Sequence, residues 1–153
     1  MFLLAVDAGL HVGYALFDIS TSTLLWYRSH NYGAMVRLRR GASTLIASQP
    51  DLAMVVVEGG GSVAEPWQKA ADFHRIPYCQ INAEKWRQDL LYDREQRSGS
   101  QAKRAAQQYA AQTISTANAP NHYNQLRHDA AEAILVGEWA LRHCQHLFLS
   151  AKE

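Results

Sequence analysis

Apolar residues in the first third of the chain fall into runs that predict three strands and one helix. Residues 2–7 begin with five apolar positions, and strand-like segments follow at 12–18 and 23–30 across a short polar turn. Three consecutive strands with such short links predict an antiparallel meander. Residues 35–48 carry apolar positions at helical spacing, and Pro50 follows them, which predicts a helix that ends there.

The remaining pattern predicts a return to the sheet and then a run of helices. Residues 53–57 are all apolar, which predicts a buried strand parallel to the first, because a helical crossover precedes it. After the glycines at 59–61 we expect a short helix at 65–75 and a strand at 76–81. The last part predicts two or three helices, at 83–91, at 101–117 opened by Ser100, and at 126–146.

Length and composition favour one soluble α/β domain over residues 1–153. With 48% hydrophobic and 19% charged residues the chain can build one core, whereas two independent domains would each be marginal. No apolar run approaches the roughly 20 residues that cross a bilayer. The only cysteines, Cys79 and Cys144, are too few for a disulfide framework, which favours reduced thiols and a cytoplasmic location.

Acidic residues end both fully apolar strands, and two more share a face of the last predicted helix. Asp7 and Glu58 follow the strands, and Asp129 and Glu132 lie three positions apart among alanines that favour close packing. Carboxylates on packing surfaces need a partner, because a buried unpaired charge costs several kcal/mol. Carboxylate oxygens bind Mg²⁺, and two such ions can promote phosphodiester hydrolysis. The pattern therefore predicts a magnesium site.

Each of these acids also has a simpler structural explanation. An acid at a strand end commonly caps a turn or pairs with a cation. Asp129 has Arg127 and His128 beside it, and Glu132 fits an exposed helix position. For His11 and His128 we favour a structural hydrogen-bonding role over proton transfer.

Basic residues cluster in one segment, although the net charge of +1 is no sign of a nucleic-acid-binding protein. Two aromatic residues, Trp86 and Tyr92, and four acids are interleaved with them. The segment is consistent with a solvated surface or with a surface that contacts phosphates. The basic residues are Lys85, Arg87, Arg94, Arg97, Lys103 and Arg104.

Four motifs occur in an order and spacing that resemble one family. They are Asp7-Ala8-Gly9 with Gly13-Tyr14, Val55-Val56-Val57-Glu58, Asn82–Arg87 with Lys103, and His128–Ala133. Together they resemble the RuvC-type Holliday junction resolvases of the ribonuclease H-like superfamily, and phage-type members in particular. The resemblance covers most of the chain and implies a mixed five-stranded sheet of order 3-2-1-4-5, flanked by helices.

The resemblance also implies an activity, a cofactor and a partner. It implies an endonuclease that nicks branched DNA, leaving 5′-phosphate and 3′-hydroxyl ends, with two Mg²⁺ per site, for which Mn²⁺ substitutes. Asp7 would bridge the two ions, Glu58 would hold one, and Asp129 with Glu132 would hold the other. The six basic residues would contact phosphates, with Lys103 alternatively placed to stabilise developing charge near the metals.

Three departures from the family pattern concern base stacking, assembly and one ligand. Glycines follow Glu58 where an aromatic residue is usual, and Glu132 stands where Asp is commoner. The helix after Glu58, which builds the family's dimer, is predicted to be short. We therefore expect a homodimer that is weak without DNA, with Trp67 either at its interface or in the core.

Other functions remain as alternatives. An actin-like ATPase shares an Asp-x-Gly strand but normally needs two such domains. A non-cleaving homologue that binds branched DNA is disfavoured by the intact set of four acids, whereas a nuclease of the same fold could act on flaps, forks or RNA. A metal module at His143, Cys144 and His146 lacks a second ligand pair, so we favour a surface cluster there.

Overall fold

A five-stranded mixed sheet forms the centre of the molecule. The computed structural model describes residues 1–120 and 125–150, with side chains as far as Leu147. The sheet order is β3-β2-β1-β4-β5; β2 is antiparallel to β1 and β3, and β4 is parallel to β1 and β5. This confirms the predicted meander and the expected order 3-2-1-4-5. The strands are β1 (Phe2–Asp7), β2 (His11–Asp18), β3 (Thr23–Asn31), β4 (Leu52–Glu58) and β5 (Tyr78–Ile81).

Helices cover both faces of this sheet. The helices α1 and α2 pack together on one face, while α5 crosses the other face and contacts α3 and α4. Among the described residues, no helix is both long and apolar enough to cross a membrane. The helices are α1 (Met35–Ala47), α2 (Gly61–Phe73), α3 (Ala83–Leu90), α4 (Gly99–Ala117), α5 (His128–His143) and α6 (Gln145–Ser150), with a 3₁₀ turn at Asp93–Glu95.

Strand β1 is apolar throughout because it supplies two cores at once. Leu3 and Ala5 point toward α5, whereas Leu4 and Val6 point toward α1 and α2. All four side chains are fully buried, as alternation along a central strand requires. The polar residue that ends this strand, Asp7, therefore lies at the rim of both cores.

Several predicted boundaries differ from the structure for local reasons. Helix α2 begins at Gly61 rather than near residue 65, so Pro66 lies inside the helix and not in its first turn. Helix α4 is capped by Ser98, whose side chain accepts the Gln101 N–H, and not by Ser100.

Two other elements are shorter than the pattern predicted. Strand β5 begins at Tyr78, where its pairing with β4 begins. The residue before it, Pro77, has no N–H group to donate to a neighbouring strand. The helix predicted over 126–146 is divided at Cys144 into α5 and α6.

Trp67 belongs to the core, so its alternative placement at an interface is wrong. Its side chain is fully buried, and its ring packs edge-on against Tyr14 with ring centroids 5.5 Å apart. On the same helix Phe73 is 83% exposed. Helix α2 thus faces the core with its tryptophan and faces solvent with its phenylalanine.

Candidate metal centre

Two of the predicted acids meet because their strands are parallel neighbours. In the register of β1 with β4, Asp7 lies directly beside Glu58 at the carboxyl end of both strands. Ligand sites in α/β sheets form at this end of the strands, where backbone groups and side chains are open to solvent. Both residues are partly buried.

A glycine brings the other two acids to the same place. Gly13 pairs with Asp7 in the β1–β2 register, and a Cβ atom at Gly13 would lie 1.8 Å from the backbone oxygen of Asp129. The first turn of α5 therefore rests directly on β2, which only a residue without a side chain permits. One turn further along α5, Glu132 reaches the ends of β1 and β4.

Three carboxylates form a cluster at this point. Asp7, Glu58 and Glu132 each present an oxygen within 4.8 Å of the others. Burial raises the pKa of Asp7 to about 10, assisted by a hydrogen bond to Glu58 and by the charges of Glu132, Glu58 and Asp129. Burial, and then the charge of Glu58, also raise the pKa of Glu132, against the opposing effect of Arg87 and Lys103.

This donor set fits a divalent cation. Three partly buried carboxylates from separate elements repel one another when ionised, and a hard cation with oxygen ligands removes that repulsion. A pocket of about 600 Å³ opens beside them and is lined by Asp7, Asp129, Glu132 and Lys103, among others. The pocket leaves room for a substrate next to the carboxylates.

Asp129 lies at this pocket but outside the three-carboxylate cluster. Its carboxylate accepts a hydrogen bond from the Ser29 hydroxyl and another from the Ala130 N–H at 2.9 Å. The Arg127 guanidinium lies 3.9 Å away. The structure thus brings three of the four predicted acids together and holds the fourth beside them through β3.

Arg87 lies closer to the acids than a phosphate-contacting residue is expected to lie. Its guanidinium is 3.5 Å from the Glu132 carboxylate and stacks over the Trp86 ring. Its Nε atom is buried and has no hydrogen-bond partner among the described residues. The side chain therefore positions Glu132 and compensates part of the negative charge of the cluster.

The other predicted basic residues are exposed and lie on α3, on α4 and between these helices. Lys103 lines the acidic pocket itself, and Arg94 stacks over the ring of Tyr92. These residues are Lys85, Arg94, Arg97, Lys103 and Arg104.

Sequence reasoning missed two polar residues at the site. Gln107 lines the pocket one turn after Lys103 on α4 and donates to the Leu126 carbonyl at 3.1 Å, so helical spacing from Lys103 could have indicated it. Ser29 lies one hundred positions before its partner Asp129, and no motif marks it. The two histidines flank the centre: His128 lines the pocket, and His11 lines an adjoining cavity that includes Asp129.

Comparisons with known proteins agree with this architecture. No protein-family model and no curated protein matches the chain. T. thermophilus RuvC in complex with a Holliday junction substrate is similar with a TM-score of 0.65 and 13% identity, over 99% of this chain and 96% of that one. The yeast mitochondrial Holliday junction resolvase is similar with a TM-score of 0.59 and 10% identity, over 98% and 82%. At these identities the likeness establishes a RuvC-like, ribonuclease H-like fold.

Proposed function

We propose that this chain is a metal-dependent endonuclease that nicks branched DNA such as Holliday junctions. The observation that carries the proposal is the meeting of Asp7, Glu58 and Glu132 within 4.8 Å of one another at the carboxyl ends of β1 and β4. The fold adds support, because the similar solved structures include a resolvase with its junction substrate.

The proposed cofactor is Mg²⁺, two ions per site, with Mn²⁺ able to replace it. Asp7, Glu58 and Glu132 would hold the metal with Asp129 as the fourth ligand, since carboxylates with open positions suit this ion. Bound metal of this kind supplies positive charge to the attacking and leaving oxygens of a phosphodiester. When water attacks the phosphorus and the 3′ oxygen leaves, the products are 5′-phosphate and 3′-hydroxyl ends. Burial above all, and then the neighbouring carboxylates, raise the pKa of Asp7, and a bound cation would favour its ionised form.

Two basic residues have separate roles at this centre. Lys103 reaches the pocket from α4, where its ammonium would stabilise the charge that develops on the scissile phosphate. Arg87 would act on Glu132 through their ion pair and hold that carboxylate in place.

The remaining proposals concern the partner and the assembly. Lys85, Arg94, Arg97 and Arg104 are exposed and would contact phosphates of the DNA. We propose one nuclease domain, acting as a homodimer that is weak without DNA. The cytoplasmic location inferred from the two cysteines stays a prediction.

The test is cleavage of labelled four-way junctions, flaps, forks and RNA hybrids in Mg²⁺. Asp7→Asn or Glu58→Gln should lower the cleavage rate by about 1000-fold or more, because a ligand carboxylate that secures several kcal/mol of charge stabilisation is lost. Binding to branched DNA should persist in both variants. The matched control is Asp72→Asn, which removes a carboxylate from the exposed face of α2.

Three results would change the proposal. Near wild-type cleavage by Asp7→Asn would overturn the metal assignment. Binding of junctions without cleavage by the wild type in Mg²⁺ or Mn²⁺ would identify a non-cleaving junction binder. Preferred cleavage of flaps, forks or RNA would keep the chemistry and change the substrate.

A further inference from the structure

A second groove lies between the edge strand β3 and helix α1, on the face of the sheet opposite to α5. Its volume is about 580 Å³. Helix α1 contributes one face to it, at positions 37, 40, 41, 44 and 45, and Ser48, which follows the helix, continues that face. Strand β3 contributes Arg28, Ser29 and His30.

The floor of this groove is closely packed. A Cβ atom at Gly41 would lie 2.2 Å from the Tyr32 ring, so the glycine lets that ring pack directly against α1. The Tyr14 hydroxyl donates to the Tyr32 hydroxyl, and the His30 ring packs against the Tyr32 ring with centroids 4.4 Å apart. The groove is therefore a formed surface with its shape set by packed aromatic residues.

The groove is positively charged. Arg28, Arg37 and Arg40 line it, and none of the described residues that line it is acidic. Among the residues that the structure describes, none of these three arginines has a carboxylate within 4.0 Å. Their neighbour Arg39 differs, because it is near enough to lower the pKa of Glu65 on α2 and does not line the groove.

A small cavity lies between the groove and the metal centre. It shares Ser29 and His30 with the groove, and it shares Arg127 and Asp129 with the acidic pocket. Ser29 faces α5 through its bond to Asp129, while Arg28 and His30 alternate to the opposite face. The three cavities therefore follow one another around the end of β3.

We propose that Arg28, Arg37 and Arg40 bind the phosphate backbone of DNA that continues past the metal centre around the edge of β3. The proposal rests on the proposed function and extends it: basic residues on α3 and α4 lie on one side of the acids, and this groove lies on the other. Two basic surfaces that flank one acidic centre suit DNA whose arms diverge at the site of cutting.

Protection of the edge strand accounts for only part of this arrangement. Charged side chains on an edge strand hinder pairing with other chains, which would explain Arg28. Arg37 and Arg40 lie on a helix, however, and point into the same groove. A shared phosphate ligand explains all three.

The experiment compares two pairs of substitutions in an Asp7→Asn background, which keeps the DNA intact. Arg37→Ala with Arg40→Ala removes two charges from the groove, and Arg39→Ala with Lys69→Ala removes two charges from the same face of the molecule outside it. Binding to a labelled four-way junction is measured from 50 to 200 mM KCl, and hydroxyl-radical footprinting locates the protected phosphates.

We expect the groove pair to lower the salt slope of log K by about 1.8, or about 0.9 per phosphate contact, and to weaken binding by about 10-fold or more at 100 mM salt. Footprint protection should disappear on one side of the cutting site alone. Arg37→Lys with Arg40→Lys should retain most of the slope, because a lysine still pairs with a phosphate as a point charge.

The outcomes separate the two proposals. If the Asp7→Asn protein binds the junction but the groove pair matches the control pair in slope and footprint, the groove proposal is wrong and the proposed function stands. If the groove pair shows the expected loss and the wild type cuts no DNA in Mg²⁺ or Mn²⁺, the groove is a DNA site and the nuclease assignment fails. Absence of any DNA binding overturns both.

Discussion

The Ser29 hydroxyl donates a hydrogen bond to the Asp129 carboxylate and thereby joins the edge strand β3 to the first turn of α5. The same carboxylate accepts the Ala130 N–H, so its orientation is set from two directions. If Asp129 is a metal ligand, Ser29 is the residue that positions it.

The first prediction follows from that bond. Ser29→Ala should raise the Mg²⁺ concentration for half-maximal cleavage by about 10-fold, because residues that hydrogen-bond to ligating carboxylates commonly contribute 10- to 100-fold to metal affinity. Ser29→Thr, which keeps the hydroxyl, should behave as wild type. A Mg²⁺ titration of junction cleavage measures the effect, and equal midpoints for alanine and wild type would contradict it.

The second prediction concerns stability without metal. The pKa of Asp7 is about 10 in the folded chain, against 3.8 for an ordinary aspartate, so the folded state binds the extra proton between those values. The free energy of unfolding in EDTA should therefore fall as pH rises from 5 to 8, by about 1 kcal/mol per pH unit. Urea unfolding at each pH measures the slope.

Two comparisons connect this slope to the carboxylate cluster. Asp7→Asn cannot ionise, so it should flatten the pH dependence and raise the stability at pH 8 in EDTA. Mg²⁺ should stabilise the wild type at pH 8 and stabilise Asp7→Asn much less. A slope that survives in Asp7→Asn would assign the pH dependence to other groups. The control Asp72→Asn should keep the slope of the wild type.

The third prediction concerns the basic surface between α3 and α4. Arg94→Ala with Arg97→Ala should weaken binding to duplex, flap and four-way DNA about equally and lower the salt slope by up to about 2. The control is Arg39→Ala with Lys69→Ala, which changes the net charge by the same amount. A loss confined to one DNA structure would show that the two arginines recognise branch geometry.

The fourth prediction concerns assembly. Symmetric cutting of a junction needs two sites related by a twofold axis, and α2 offers one exposed aromatic residue, Phe73, on a helix of 13 residues. A small surface of this kind favours a weak dimer. Sedimentation of the Asp7→Asn protein at micromolar concentration should show monomers alone and dimers on a junction.

Phe73→Ser should weaken the dimer on DNA at least 10-fold. A protein that stays monomeric on the junction would be a nuclease that nicks one strand at a time.

The sequence by itself determined the sheet and the position of its acids. Val6 and Val57 end unbroken apolar runs because β1 and β4 are buried on both faces, and that pattern is visible without coordinates. Since parallel strands of one sheet end at the same edge, the pattern predicted Asp7 and Glu58 at one edge, and the sheet order implied by the family resemblance made them neighbours.

Only the tertiary structure decided which partner each functional side chain takes. The bond from Ser29 to Asp129, the ion pair of Arg87 with Glu132 and the burial of Trp67 each depend on the packing of separate elements. The spacing of apolar residues along one segment shows which face of that helix or strand is buried. It contains no information about what lies opposite that face, which strand register and helix packing determine across the whole chain.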